Sequence, residues 1–386
     1  MKMENRKSIR LNETKFKSLL IMLYFIILAV HNVSGNMIVN YFWYGIVSLS
    51  FLVGIVKIRR WISRFQITFL LLYILTSLIN ILFIGNSSIG DMIFTLLYWV
   101  IFILILDEGV SPQYIGYAIY INCVFFSCLL IWSGLGTNIL DGLSNNYISV
   151  ILLFPLLIYY IKLEEKGGSI PLLPAILVWI TCLLAVGRGG ILASSVLLLG
   201  ILIYLFFYRQ RWKKKEAMYF YRFIISLSFI LTIQLAVVFY DVILEWSVFQ
   251  RFAKHGFYGT GRAGIWDEYL YYVNHNLKNF LFGVDFDSLF QMIRYKDNLH
   301  NSFLNVHAYN GIIMLVYIIV CLTRQIILGI QSKRWIMVVC IVAFCLRAFT
   351  DKIFWGGVIG TPLLFFLMWN PNKKLKYPMI QKERLY

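Results

Sequence analysis

Long apolar stretches alternate with short polar ones along the whole chain of 386 residues. Most hold roughly 17 to 25 residues, enough for a helix to cross the ~30 Å hydrocarbon core of a bilayer. Backbone polar groups in that core must be bonded internally, so the pattern predicts an all-α, polytopic integral membrane protein. We predict about twelve transmembrane helices, at 17–33, 36–56, 65–84, 90–106, 113–133, 145–162, 170–186, 189–208, 220–245, 303–327, 334–350 and 353–369.

The composition agrees with a single polytopic membrane domain over 1–386. Hydrophobic residues make up 60% of the chain and charged residues only 14%, which is more apolar than a soluble protein requires. The net charge of +17 raises the question of a nucleic-acid partner. However, most basic residues lie in alternate connections, as the positive-inside rule describes, so we expect no nucleic acid. This orientation places both termini in the cytoplasm.

One connection is much longer than the others. It covers 246–302, about 57 residues between the ninth and tenth predicted helices, and it faces away from the cytoplasm in this orientation. An apolar stripe predicts a short amphipathic helix that starts at Ala263. The stripe consists of Trp266, Leu270, Val273 and Leu277, and Tyr269 widens it.

Gly261-Arg262 directly precedes this predicted helix. Glycine leaves the backbone amides accessible, and the arginine adds a positive charge at a helix N-terminus, which together suit an anion. An ordinary glycine turn is the alternative interpretation.

Several arginines lie outside the predicted helices or near their outer ends, where a charge is costly unless it is paired. They are Arg188, Arg251, Arg262 and Arg347. Guanidinium groups bind phosphate oxygens in bidentate fashion, so these arginines together favour an anionic headgroup. For Arg347 the alternative is an ion pair with Asp351, four residues on. For Arg188 the alternative is an anchor at the membrane interface.

His300 and His307 are predicted to share one face of the tenth helix. A metal site there is disfavoured, since no acidic residue or cysteine has a ligand spacing beside them. Asp285-Phe286-Asp287 resembles the metal-nucleotide motif of soluble glycosyltransferases, yet nucleotide sugars are not expected on this side of the membrane. We therefore predict neither a metal nor a cofactor.

Three features together resemble the superfamily of O-antigen polymerases (Wzy) and O-antigen ligases. They are Gly187-Arg188-Gly189 between helices, Gly261-Arg262 with Trp266 in the large loop, and His300-Asn301 entering a helix with Gly311 beyond. The architecture is similar over the whole chain, whereas the motifs occupy only about 185–190 and 251–311. Asn298 and Asp285 stand where the ligase pattern often has a histidine and a glycine, which favours a polymerase.

The resemblance implies a polysaccharide polymerase, a membrane-embedded glycosyltransferase on the outer side of the bacterial cytoplasmic membrane. Its substrate would be an undecaprenyl-diphosphate-linked oligosaccharide, transferred onto another such unit. Flippase and chain-length regulator proteins are the partners that it implies. Ligase-like transfer to another acceptor is the nearest alternative, and a flippase or other transporter is the alternative outside enzymes.

Diphosphate is a good leaving group, so this reaction requires charge stabilisation by arginine and a base for the attacking hydroxyl. A histidine, with an ordinary pKa of ~6.5, suits the second task, so we predict His300 and Arg262 as catalytic residues. The predicted diphosphate ligands are Arg188, Arg251, Arg262 and Arg347, with Asn301, Gly261, Trp266 and Asp351 in support. Asp267, Glu268 and Asp351 are rival bases, and a helix-capping role is the alternative for His300.

Overall fold

The computed structural model describes residues 2–61, 64–106, 109–134, 137–207, 262–291 and 298–354, together with Leu363 and Phe366. Within these ranges the regular elements are α-helices and 3₁₀ turns, and no strand is present. The all-α prediction is therefore confirmed for the part of the chain that the structure describes.

The helices follow the apolar stretches. Those before residue 208 are α1 Lys2–Ser34, α2 Met37–Trp61, α3 Arg64–Phe83, α4 Ile89–Leu106, α5 Pro112–Ser133, α6 Ile148–Glu165, α7 Leu173–Leu184 and α8 Arg188–Phe207. Those after residue 261 are α9 Arg262–His275, α10 Leu277–Phe282, α11 Ser302–Gln331 and α12 Trp335–Phe349. One 3₁₀ turn, Asn145–Tyr147, leads into α6, and another, Phe286–Ser288, follows α10.

Six of the described helical segments are long and apolar enough to cross a membrane. They are Glu13–Ser34, Met37–Val56, Pro112–Ser133, Asn145–Glu165, Arg188–Phe207 and Ser302–Gln331. Shorter apolar helices lie between or after them in the sequence, at Ile67–Phe83, Ile89–Ile101, Leu173–Leu184 and Trp335–Phe349. These helices indicate a membrane protein. The predicted span 220–245 and most of the span 353–369 lie outside the described residues.

Helix α12 packs against α8, α6 and α11, while α1 packs against α5 and α2 against α4. The contact between α8 and α12 depends on a small residue, because a Cβ atom on Gly200 would overlap the side chain of Val339. Close helix approach at small residues is typical of membrane proteins, where packing contacts replace the hydrophobic effect as the driving force.

Helix α11 is interrupted at Gly311, whose φ of 74° and ψ of 179° are not helical. A Cβ at this position would overlap the carbonyl oxygen of Leu281, so the break requires glycine. The interruption leaves the Ala308 carbonyl accessible, and it accepts hydrogen bonds from Asn80 and Asn86 at 2.8 and 3.0 Å. Polar side chains thus satisfy the backbone where the helix cannot.

A second, smaller apolar core combines residues of α9, of the segment after α10 and of the chain around the start of α11. Its buried residues are Ile265, Tyr269, Val273, Val284, Phe286, Leu289, Leu299 and Ala308. The predicted helix is present as α9, but the predicted apolar stripe is wrong in two positions, since Leu270 and Leu277 are 42% and 72% exposed. The buried stripe is shifted because the segment after α10, with Val284, Phe286 and Leu289, packs on the neighbouring face of the helix.

Candidate active site

Five helix ends meet at one end of the bundle: the N-termini of α6, α8, α9 and α11, and the C-terminus of α12. Helix N-termini carry a positive partial charge, which favours anions. The residues of interest at this place are Arg188, Arg262, His300, Arg347 and Asp351, which we call the arginine-histidine cluster.

Arg347 is buried in this cluster, with 2% of its surface exposed. Its Nε donates to Ser149 Oγ at 2.9 Å, and a terminal nitrogen donates to the Asn146 carbonyl at 2.9 Å. Its guanidinium also contacts Thr350 Oγ1 at 3.2 Å and Asp351 Oδ2 at 3.3 Å. The ion pair with Asp351 is therefore present, and Arg347 is engaged by several protein groups at once.

Three glycines in the motif 187–190 allow α8 to approach the partners of Arg347. Cβ atoms on Gly187, Gly189 and Gly190 would meet Asn146, Thr350 and Ser149, respectively, at distances shorter than real Cβ contacts. The glycines therefore have a packing role: they bring the N-terminus of α8, and with it Arg188, to the side of Arg347.

We expect Gly190→Ala to lower the free energy of unfolding by about 1–3 kcal/mol, because an added methyl group overpacks a filled interface. The methyl group would overlap Ser149, and a displaced Ser149 would disturb Arg347. Thermal unfolding in detergent measures the effect. Gly45→Ala is the matched control, because nothing among the described residues lies within 4 Å of a Cβ there. Equal stability of the two variants would contradict this packing role.

Asp351 is the buried carboxylate of the cluster, 2% exposed. Its Oδ1 accepts from the backbone N–H of Lys352 at 2.9 Å and from the Tyr147 hydroxyl at 3.4 Å, and His300 Nδ1 lies 3.5 Å away. Burial by itself raises the pKa of this carboxyl, but His300 and the charge of Arg347 outweigh it and hold the pKa well below its usual range. A low pKa makes Asp351 a weak base and suits it better as the partner of His300.

His300 lies just before α11 and not on it. Its φ of 49° is left-handed, and the helix begins at Ser302 with Asn301 as its N-cap. The prediction that His300 and His307 share a helical face is therefore wrong, because the chain turns at His300 and directs the imidazole towards Asp351. The side chain of His300 is 25% exposed, so a substrate can reach it.

Asn301 and Trp266 hold the chain on either side of His300. Asn301 Oδ1 accepts from two backbone N–H groups in the first turn of α11, at 2.9 and 3.3 Å. The helix cap is therefore Asn301 and not His300. Trp266 Nε1 donates to the Leu299 carbonyl at 2.7 Å, which joins α9 to the residue before His300.

Both ring nitrogens of His307 are bonded within the fold. Nδ1 lies 2.7 Å from the Tyr269 hydroxyl, and Nε2 lies 2.8 Å from the Phe280 carbonyl. A carbonyl only accepts, so Nε2 carries the proton and Nδ1 accepts from Tyr269. His307 therefore joins α9, α10 and α11. Among the described residues, no group of three or more His, Cys, Asp or Glu side chains is arranged to hold a metal.

Arg188 and Arg262 complete the cluster, and each is the first residue of its helix. Partial burial lowers the pKa of Arg262; the Asp351 carboxylate opposes this shift, and the charges of Arg188 and Arg347 add to it. Three of the four predicted diphosphate ligands thus lie close enough for their charges to interact. Their binding of a diphosphate stays a prediction.

The remaining residues named from the sequence are two that the structure does not describe and three carboxylates. Gly261 and Arg251 are outside the described residues. Among the rival bases, Glu268 accepts from two backbone N–H groups of the segment after the 3₁₀ turn, at 2.8 and 3.0 Å, and Asp267 is exposed on α9. Asp285 accepts from the backbone of the same 3₁₀ turn as its cap. These carboxylates have structural or surface positions.

The start of α6 belongs to the site, although the sequence pattern did not single it out. Asn146 and Ser149 bind Arg347, and Tyr147 binds Asp351. One signal was available in the sequence: residues 144–147 form a polar run at the start of a predicted helix. The predicted topology places this start on the same side of the membrane as Arg347.

Comparison of the chain with models of known protein families and with curated proteins gives no significant match. The function therefore has to be inferred from the chemistry of the arginine-histidine cluster.

Proposed function

We propose that the chain is a polysaccharide polymerase, a membrane-embedded glycosyltransferase that joins oligosaccharide repeat units. Donor and acceptor are undecaprenyl-diphosphate-linked, and the reaction takes place on the outer side of the bacterial cytoplasmic membrane. The arginine-histidine cluster is the observation that carries the proposal.

The cluster combines an excess of positive charge with a candidate base. The charges of Arg188, Arg347 and Asp351 all interact with that of Arg262, and a diphosphate matches this excess of positive charge because guanidinium groups bind its oxygens in bidentate fashion. We assign direct contact with the diphosphate to Arg188 and Arg262, because each is the first residue of its helix, where the helix N-terminus also favours an anion. Arg347 then contributes its charge and holds Asp351 beside His300.

In the proposed step, the hydroxyl oxygen of the acceptor sugar attacks C1 of the donor sugar. The bond from C1 to the diphosphate oxygen breaks, and its electron pair leaves with the diphosphate, where arginine stabilises the charge. The hydroxyl proton passes to His300 and then to solvent. Asp351 favours a proton on Nδ1, so Nε2 is the nitrogen with the lone pair that accepts the hydroxyl proton.

The proposal includes a topology of about twelve membrane helices with both termini in the cytoplasm. The cluster then lies at the outer end of α12, next to the loop 246–302. ATP and nucleotide sugars are absent from that side of the membrane. A donor that is already activated as a lipid-linked diphosphate requires neither, which is consistent with the proposed chemistry.

The test is reconstitution of the purified protein in liposomes with its lipid-linked repeat unit, without nucleotide or added metal. We expect a ladder of longer glycans and the release of undecaprenyl diphosphate. Transfer to a different acceptor without a ladder would support ligase-like chemistry instead. Movement of the unit across the bilayer without any transfer would overturn the enzyme proposal in favour of a transporter.

A further inference from the structure

A ring of polar contacts surrounds His300 and includes two residues that the proposed chemistry does not use, Asn298 and Tyr147. Asn298 Oδ1 accepts a hydrogen bond from the backbone N–H of His300 at 2.8 Å, and the Asn298 amide is near enough to the Tyr147 hydroxyl to oppose the rise in its pKa that burial causes. That hydroxyl lies 3.4 Å from Asp351 Oδ1, and the same oxygen lies 3.5 Å from His300 Nδ1. The contacts therefore return to His300.

The donors and acceptors of this ring are consistent with one arrangement. A carboxylate only accepts, so the Tyr147 hydroxyl donates to Asp351 Oδ1, and the same oxygen, 3.5 Å from His300 Nδ1, favours a proton on that nitrogen. Because the Tyr147 hydrogen is used there, its oxygen accepts from the Asn298 amide nitrogen. The amide oxygen of Asn298 then accepts from the His300 backbone, so its partners determine the orientation of the amide.

The bond between Asn298 and the His300 backbone has a conformational consequence. His300 has a φ of 49°, in the left-handed region that residues with a Cβ rarely adopt. An Asn side chain that accepts from the N–H two residues on closes a turn of this kind. Asn298 therefore stabilises the backbone conformation that directs the imidazole of His300 towards Asp351.

Tyr147 acts on Asp351, the residue that the His300 imidazole contacts. Its hydroxyl donates to the same oxygen, Asp351 Oδ1, and so weakens the attraction between this oxygen and the imidazole. The charged and titratable residues around Asp351 belong to several helices and to the segments between them. They are Arg188, Arg262, Arg347, Lys352, Tyr147 and His300 itself.

We propose that Asn298 and Tyr147 are positioning residues for His300. Asn298 sets the direction of the imidazole through the backbone, and Tyr147 sets the strength of its interaction with Asp351. The kinetic consequence rests on the proposed function, whereas the effect on the imidazole itself can be measured without turnover.

The first test compares Asn298→Ala, which removes the acceptor, with Asn298→Asp, which keeps it. We expect Asn298→Ala to lower kcat by ~10- to 100-fold through misplacement of the imidazole, with little change in the KM of the donor. Asn298→Asp should recover most of the loss. Asn274→Ala, on the exposed face of α9, is the matched control. A wild-type kcat in Asn298→Ala, or no recovery in Asn298→Asp, would overturn the role of Asn298.

The second test uses Tyr147→Phe, which keeps the ring and removes the hydroxyl. The ¹⁵N resonance of His300 Nδ1 should move towards that of a more strongly hydrogen-bonded nitrogen, because Asp351 Oδ1 then no longer accepts from Tyr147. The matched control is Tyr271→Phe, at a site that is 58% exposed. An unchanged Nδ1 resonance in Tyr147→Phe would remove Tyr147 from the positioning role.

A third measurement separates this inference from the proposed function. ¹⁵N NMR of labelled histidine reports which ring nitrogen of His300 carries the proton, and it needs no substrate. We expect the Nδ1–H form in the wild type and a mixture of tautomers in Asn298→Ala. If the wild type transfers no glycan while this difference is present, the polymerase proposal fails and the positioning role of Asn298 stands. The same tautomer ratio in both proteins would contradict that positioning role.

Discussion

His300→Ala is expected to lower the rate of glycan transfer about 10²- to 10⁴-fold, the range for loss of a general acid–base group. The variant loses the group that takes the hydroxyl proton but keeps the arginines that hold the donor. The loss should therefore fall on the chemical step, with little change in donor binding. Single-turnover transfer in liposomes, with donor affinity measured separately, distinguishes the two effects.

Two other histidines provide the comparison. His275 is exposed in the last turn of α9, so His275→Ala should transfer glycan at the wild-type rate. His307 bonds to Tyr269 and to the Phe280 carbonyl, so His307→Ala should lower the melting temperature. A His300→Ala protein that binds donor and matches the His275→Ala rate would show that another group accepts the proton.

Arg262→Ala is expected to lower the rate of transfer about 10²- to 10³-fold. This is the range for enzymes that lose one group that stabilises the developing negative charge of the transition state. Arg262 is the first residue of α9, and its charge interacts with those of Arg188, Arg347 and Asp351. Arg262→Lys keeps the charge but loses the planar fork, so it should recover only part of the rate. Calorimetry with inorganic pyrophosphate measures the anion site without turnover.

Arg324→Ala is the matched control, since Arg324 is exposed on the second section of α11, and it should leave pyrophosphate affinity unchanged. Arg347→Ala is expected to affect the stability of the fold as well as any anion binding. It removes the partner of buried Asp351 and should cost about 3–5 kcal/mol of stability, so a loss of activity there would not identify a ligand. Equal pyrophosphate affinity in wild type and Arg262→Ala would exclude Arg262 from the anion site.

The helical architecture of the described residues could be predicted from the sequence because it is a local property. An apolar stretch in a bilayer must satisfy its own backbone hydrogen bonds, so each long stretch forms a helix wherever its neighbours lie. Each of the first eight predicted spans accordingly overlaps one of the helices α1 to α8, and α1, α2, α5, α6 and α8 contain segments long and apolar enough to cross a membrane. Gly311 belongs to the sequence motif, but the break in α11 could not be predicted from it. The Ala308 carbonyl that the break frees is satisfied by Asn80 and Asn86, more than 200 residues away.

Conformation at single residues was less predictable. His300 precedes a helix whose periodicity extends back to it, so the pattern indicated a helical His300. The hydrogen bond from the His300 backbone N–H to Asn298 Oδ1 and the contact with Asp351 turn the chain instead. Likewise the predicted stripe along α9 contained Leu270, and only the packing of α9 against the segment after α10 decides that Ile265 and Tyr269 are buried while Leu270 is exposed.

The sequence by itself determined the membrane class, the positions of the described helices, and the arginines and histidine whose chemistry suits an anionic, activated substrate. These follow from hydropathy and from the properties of individual side chains. Only the tertiary structure decided which of them meet, since Arg347 binds Ser149 across 198 residues of sequence. It also brought Tyr147 and Asn298 to His300, because helix packing, and not spacing along the chain, sets the contacts between distant segments.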